Sequence, residues 1–175
     1  SHICGMTQAA LLARSSDYAT PPWGEEDQAP FTNACIEIET SLDPHALAEA
    51  VRHGMFKDDA ASQALGMQIE AVGPGYARIA MTVRPDMLNG FKICHGGFIT
   101  TLADSAFAFA CNSYNKNTVA AGCSIEFLKP CHLGDVLTCE GVEQTLQGRH
   151  GIYDMKVTNQ KGDVVNLITQ QRAGA

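Results

Sequence analysis

The sequence predicts an α+β domain in which an antiparallel sheet is wrapped around one central helix, and three observations predict it. The run Phe98 to Asn112 is apolar nearly all round, broken only by Asp104 and neighbouring hydroxyls, the pattern of a helix buried on all sides. After it, β-rich runs over 119–127, 136–145, 151–158 and 164–171 are separated by Pro130, Gly134, Gly148 and Gly162, and read as an antiparallel meander. Ahead of it, Met67 to Val72 and Tyr76 to Val83 alternate around the turn Gly73-Pro74-Gly75, a hairpin signature ended by Pro85. Helix, two strands, one buried helix and four strands make layers around a single core.

The elements follow in order. Residues 1–5 precede the first methionine, Met6, and are set aside as a cloning remnant. Met6 to Ser15 suits a short helix, while Ser16 to Pro44, with Pro21, Pro22, Pro30 and Pro44 among polar and acidic residues, reads as irregular chain. The organisation is thus an N-terminal arm over 1–43 and a compact domain over 44–175. From His45 the pattern turns helical, with Leu47, Ala50, Val51, Met55 and Phe56 at helix spacings, extended or restarted by Ala60, Ala64 and Leu65 and stopped by Gly66.

Composition narrows the function. At 175 residues and 18.7 kDa the chain holds one catalytic domain, and 45% hydrophobic against 18% charged residues is a globular profile. A net charge of -7, with no basic cluster, argues against nucleic acid as a partner. The longest apolar stretch is too short and too interrupted for the roughly 20 residues of a membrane-spanning helix, so the expectation is a soluble protein. Seven cysteines without a CxxC pair fit neither a disulfide framework nor a zinc site and read as reduced cytoplasmic thiols; no metal and no cofactor is implied.

Asp104 is the strongest chemical feature. Leu102, Ala103, Ala106, Phe107, Ala108 and Phe109 surround it in sequence and would enclose it, and an unpaired carboxylate in apolar surroundings costs several kcal/mol. The bland alternative is an Asp that bonds Thr100, Thr101 or Ser105, or reaches the surface. His95-Gly96-Gly97 leads into the helix, where first-turn N–H groups and the positive end of the dipole can hold an oxyanion. Gly96 and Asp104 are eight residues apart, about 12 Å along a helix, too far to act directly on one carbonyl. If both serve one substrate, Asp104 comes from a second subunit related by a two-fold axis.

Cys94 beside His95 does not make a nucleophile pair, because adjacent residues on an extended segment point to opposite sides; Cys94 reads as a buried thiol and His95 as an orienting or turn-fixing residue. Asn89 before Gly90 is either a turn residue or an amide donor toward the carbonyl. Ser124 and Lys129 lie on or after the strand following the helix, and Lys129 suggests phosphate contact.

The run Met87-Leu-Asn-Gly-Phe-Lys-Ile-Cys-His-Gly-Gly-Phe-Ile-Thr-Thr-Leu-Ala-Asp-Ser-Ala-Phe-Ala-Phe-Ala-Cys-Asn112 resembles the signature of hotdog-fold thioesterases of the phenylacetate-degradation type. The resemblance extends from about Met55 to Gln171, through Ala64-Leu-Gly66, Glu126-Phe-Leu-Lys-Pro130, Gly134-Asp-Val-Leu137 and Tyr153-Asp154; residues 1–43 have no counterpart in it. It implies a hotdog fold, assembly into homodimers or homotetramers with sites at subunit interfaces, and an acyl-CoA thioester as substrate. Asp104 matches the family's nucleophile or general base, Gly96 and Gly97 the glycines that polarise the carbonyl, and Asn89 and His95 the orienting residues. The family favours aromatic acyl groups such as phenylacetyl, for which Phe98, Phe107, Phe109 and Met87 are candidate linings. Ala120, Ala121 and Gly122 stand where some relatives carry a water-orienting Ser or Thr, with Ser124 just beyond. A non-catalytic acyl-CoA-binding module and a hotdog hydratase are the competing classes: the first would not need a buried carboxylate, and the second wants a His on the helix that this one lacks after residue 95.

Overall fold

The computed structural model describes residues 54–114 and 118–174 together with the backbone of 9–14, 18–20, 31–33 and 36–40. The chain forms two compact units, Ser1–Leu47 and Ala48–Ala175. In the first, β1 (Ala9–Arg14) pairs antiparallel with β4 (Ile36–Thr40), and β2 (Tyr18–Thr20) with β3 (Phe31–Asn33). The short helix expected over Met6 to Ser15 is therefore a strand, and the stretch read as irregular contains three more. Pairing with the alternating Ile-Glu-Ile-Glu-Thr run of β4 overrides the local helix preference of Ala9 to Arg14.

In the second unit, residues 54–58 are helical and Asp59 caps α1 (Ala60–Ala64), its carboxylate accepting from the Ser62 N–H at 3.0 Å. Gly66 ends this segment with φ +69°, a left-handed conformation that glycine adopts without strain. The part of the expected helix over 45–53 lies outside the described residues. β5 (Gln68–Gly73) and β6 (Tyr76–Thr82) form the expected hairpin, closing at Gly73 opposite Tyr76.

The central helix α2 (Gly96–Asn112) is followed by β7 (Thr118–Phe127), β8 (Val136–Gln147), β9 (His150–Thr158) and β10 (Val164–Gly174). The six strands make one antiparallel sheet in the order β5-β6-β8-β9-β10-β7. Three of the four late strands form the expected meander. β7 departs from it, pairing with β10 at the far edge, because β8 takes its place beside β6.

The sheet wraps α2, which touches all six strands. On β9 the burial alternates cleanly, with Tyr153, Met155 and Val157 turned to the helix side. Phe107 of α2 meets Tyr153 edge to face at 5.3 Å between centroids. Leu102, Ala103, Ala106 and Ala110 are fully buried in the same core with Ile79, Met81 and Leu137. Burial is not uniform round the helix, however. Asp104 and Gly97 are exposed, and Thr101 and Ala108 half-buried, at spacings of four, three and four that define one open face. The expectation of a helix buried on all sides is thus corrected: within one chain the sheet covers one side of α2 only.

Candidate active site

The loop before α2 is built on Asn89. Its side-chain Oδ1 accepts from the N–H groups of Phe91 (2.9 Å) and Ile93 (3.4 Å), while its backbone N–H donates to the Ile93 carbonyl and its carbonyl accepts from Lys92. The turn reading of Asn89 holds, and since only its oxygen is used, the Nδ2 amide is left with no partner among the described residues. His95 then caps the helix: its N–H donates to Met87 O, and its Nδ1 accepts from the Gly97 N–H at 3.2 Å, which puts the imidazole proton on Nε2 when the ring is neutral. The Phe98 N–H is satisfied by the His95 carbonyl at 3.0 Å.

Of the first-turn donors, that of Gly96 alone has no partner among the described residues. The expectation of a whole unpaired first turn narrows to this one N–H, because the cap consumes the Gly97 donor. Gly96 borders a cavity of about 450 Å³ lined also by Asn89, Ile93, Cys94, Ile99, Phe127, Leu128 and Lys129. A Cβ on Gly96 would lie 2.8 Å from Cζ of Phe127, so a side chain here would displace that exposed ring from its place over the helix start. Burial favours the protonated form of the cavity's two thiols, pushing Cys94 upward and Cys131 up to about 12.

Asp104 lies on the open face of α2, outside that cavity lining. The sequence reading that its neighbours enclose it is corrected: Leu102, Ala103, Ala106 and Phe107 point into the sheet, and helical geometry turns Asp104 away from them. Nor do the nearby hydroxyls hold it. Thr100 and Thr101 donate to carbonyls four residues back, and Ser105 pairs with Ser62. Asp104 Oδ1 instead accepts from Gln170 Nε2 on β10 at 2.7 Å. α2 is one unbroken helix from Gly96 through Asp104, so the two stay about 12 Å apart in one chain.

The remaining candidates are dispersed. Lys129 borders the cavity with its ammonium on Asp163 at 2.9 Å. Ser124 is exposed on β7, opposite Thr169. Phe98 is half-buried against the core, and Phe107, Phe109 and Met87 are core residues outside the lining of that cavity. Asn89, Gly96 and Lys129 are therefore brought together, and Asp104 is not joined to them within the chain. Sequence reasoning missed Phe127 and Gln170. The first had a signal in its place at the strand end before Pro130; the second stands with Asn166 and Arg172 as a polar row at alternate positions of β10, interrupted by Ile168.

Residues 91–166, which take in α2, β7, β8, β9 and the first residues of β10, match the thioesterase superfamily model. The acyl-coenzyme A thioesterase PaaI of Escherichia coli is 44% identical over 121 residues, 66% of this chain and 83% of that protein. The chain belongs to the thioesterase superfamily. The structure of the E. coli PaaI protein from the phenylacetic acid degradation operon superposes with a TM-score of 0.75 at 38% identity, over 76% of this thioesterase and 96% of that chain, and fixes the hotdog fold. A hypothetical thioesterase from Streptococcus pneumoniae, solved with coenzyme A, matches with a TM-score of 0.65 at 29% identity over 70% and 95% of the two chains. By family and fold this thioesterase is a thioester hydrolase. Its N-terminal part is similar to something else: residues 2–54 match the 7,8-dihydro-6-hydroxymethylpterin-pyrophosphokinase model. A pyrophosphokinase of that kind from Methylorubrum extorquens is 48% identical over 48 residues, which is 30% of its length.

Proposed function

We propose that the protein hydrolyses acyl-CoA thioesters to free acid and coenzyme A, with an aromatic acyl group of the phenylacetyl or hydroxyphenylacetyl type, or a medium-length chain, as substrate. The activity is assigned to the domain over 44–175, with the arm over 1–43 apart from it. The observation that carries the reading is a helix bearing one free N–H at its cavity-side terminus, Gly96, and a solvent-facing carboxylate two turns on, Asp104. In this reading the Gly96 N–H polarises the thioester carbonyl, with the free amide of Asn89 beside it, while His95 and Gly97 hold the helix start in shape. Asp104 acts as nucleophile or as general base for water. Phe98, Ser124 and Lys129 are assigned to substrate contacts, Lys129 at the cavity border.

Because one chain separates Gly96 from Asp104 by about 12 Å, the working site takes Asp104 from a second copy in a homodimer or homotetramer. The open face of α2 and the edge strand β7 support this. β7 pairs on one side only and exposes Val119 (69%) and Phe127 (55%), an apolar edge of the kind that proteins cover. The five described cysteines are free thiols, in keeping with a cytoplasmic setting.

The apolar lining of the cavity by Ile93, Ile99, Phe127 and Leu128 favours a bulky acyl group. A phenyl ring burying about 100 Å² more than acetyl gains about 2.5 kcal/mol at 25 cal/mol per Å². Expressed in the transition state that is one to two decades in kcat/KM. Steady-state hydrolysis of acetyl-, hexanoyl-, palmitoyl- and phenylacetyl-CoA checks it, with phenylacetyl expected first and hexanoyl between. A preference for acetyl or palmitoyl overturns the aromatic substrate and leaves thioester hydrolysis standing; stoichiometric binding without turnover of any of the four overturns the enzyme reading in favour of an acyl-CoA-binding module.

A further inference from the structure

β10 is clamped between β9 and β7, with Gln170 opposite Tyr153 on one side and Cys123 on the other. The inward positions of this strand carry Asn166, Ile168, Gln170 and Arg172, so three polar side chains stand where a packed core asks for apolar ones. Asn166 and Arg172 serve the fold: Asn166 donates to the Glu126 carbonyl on β7, and Arg172 donates to the Cys111 carbonyl at the end of α2, where a cation suits the helix dipole. Gln170 holds no backbone group. It is 4% exposed, its Nε2 donates to Asp104 Oδ1 at 2.7 Å, and its Oε1 is buried with no partner among the described residues.

We propose that Gln170 is a positioning residue for Asp104, pinning Oδ1 so that Oδ2 is the oxygen presented to the reacting water or thioester. The inference rests on the reading of Asp104 as the catalytic carboxylate. A carboxylate can be met only by the amide's NH₂; Oε1 is left without a partner among the described residues, as are Asn166 Oδ1 and Arg172 Nε in the same row, so what sets Gln170 apart is that its donor goes to a side-chain carboxylate on α2 where theirs go to backbone carbonyls. On the open face of a helix an Asp side chain moves among rotamers and its two oxygens interchange. A short charge-assisted bond from a side chain locked in a central strand removes both freedoms. Oδ2 has no partner among the described residues, and Asp104 as a whole is exposed.

The test replaces Gln170 by residues of its own length. Gln170→Met removes the donor and keeps the volume. It should lower kcat about tenfold, equivalent to about 1.4 kcal/mol, with KM within twofold and a Tm unchanged or raised because the orphaned oxygen goes too. Gln170→Glu turns the donor into a second carboxylate against Asp104 and should lower kcat about a hundredfold. In an Asp104→Ala background, Gln170→Met should change residual activity by less than twofold, since there is no carboxylate left to position. A Gln170→Met enzyme with kcat within twofold of the parent, or one whose kcat falls only together with its Tm, overturns the role. An Asp104→Ala enzyme that stays active overturns the reading of Asp104 itself, and the two failures are told apart because they appear in different variants.

Discussion

The two faces of α2 differ as much as two separate helices would. The side against the sheet is aliphatic and aromatic, with Leu102, Ala103, Ala106, Phe107 and Ala110 fully or almost fully buried. The other carries Gly97, Thr101, Asp104 and Ala108, small or polar, the first and third exposed and the other two half-buried. The first is what folding requires of a helix wrapped by a sheet. The second contributes little to the core of one chain, so its residues are free to be chosen for chemistry and for a partner copy. Substitutions on one face should register in stability and on the other in turnover.

The sharpest contrast is Phe107 against Asp104. Phe107→Ala empties a site beside Tyr153 and should destabilise the domain by about 3–5 kcal/mol, read as a shift of the urea midpoint at unchanged m-value. If it costs under 1 kcal/mol, this face is not the core. Asp104→Ala should do the reverse, with kcat falling at least about a hundredfold while the Tm stays within a few degrees of the parent. Retention of more than a tenth of kcat ends the catalytic reading. Mixed with a chain carrying Gly96→Pro and refolded, that variant should regain part of its activity, because one of the two sites in a mixed dimer receives neither lesion; verified mixed dimers that stay inactive rule out a site shared between chains. The smallest effect belongs at the boundary of the faces. His95→Ala removes the cap on Gly97 and should cost about 1 kcal/mol of stability by thermal or urea denaturation, with a several-fold loss in kcat as the helix start loosens. A Tm equal to the parent's would show that the cap is not what His95 is for.

Much of this site was legible in the sequence because its signals are local. A His-Gly-Gly before an apolar run marks a helix start whatever surrounds it, and an Asp eight residues later sits about two turns on regardless of fold. The helix length and the 12 Å separation follow from the same arithmetic. Gln170 was not legible, since its partner is 66 residues away and only the pairing of β10 into the sheet brings them together. Phe127 was passed over for a similar reason: its ring matters because it lies on Gly96, and that contact exists only once β7 has crossed to the sheet edge beyond β10.

Local pattern was enough for the α+β class, for the hairpin of β5 and β6, for four late strands of which three do form a meander, and for the residues at the helix start, because periodicity, turn residues and caps act over a few positions of chain. The place of β7, the strand pairs of the N-terminal unit and the covered side of α2 came from contacts between distant parts of the chain. Apolar periodicity reports how much surface a helix could bury. Which of it is buried depends on what packs there, and a single chain supplies a sheet for one side of α2, leaving Asp104 exposed at the margin of that cover with one oxygen on Gln170 of β10.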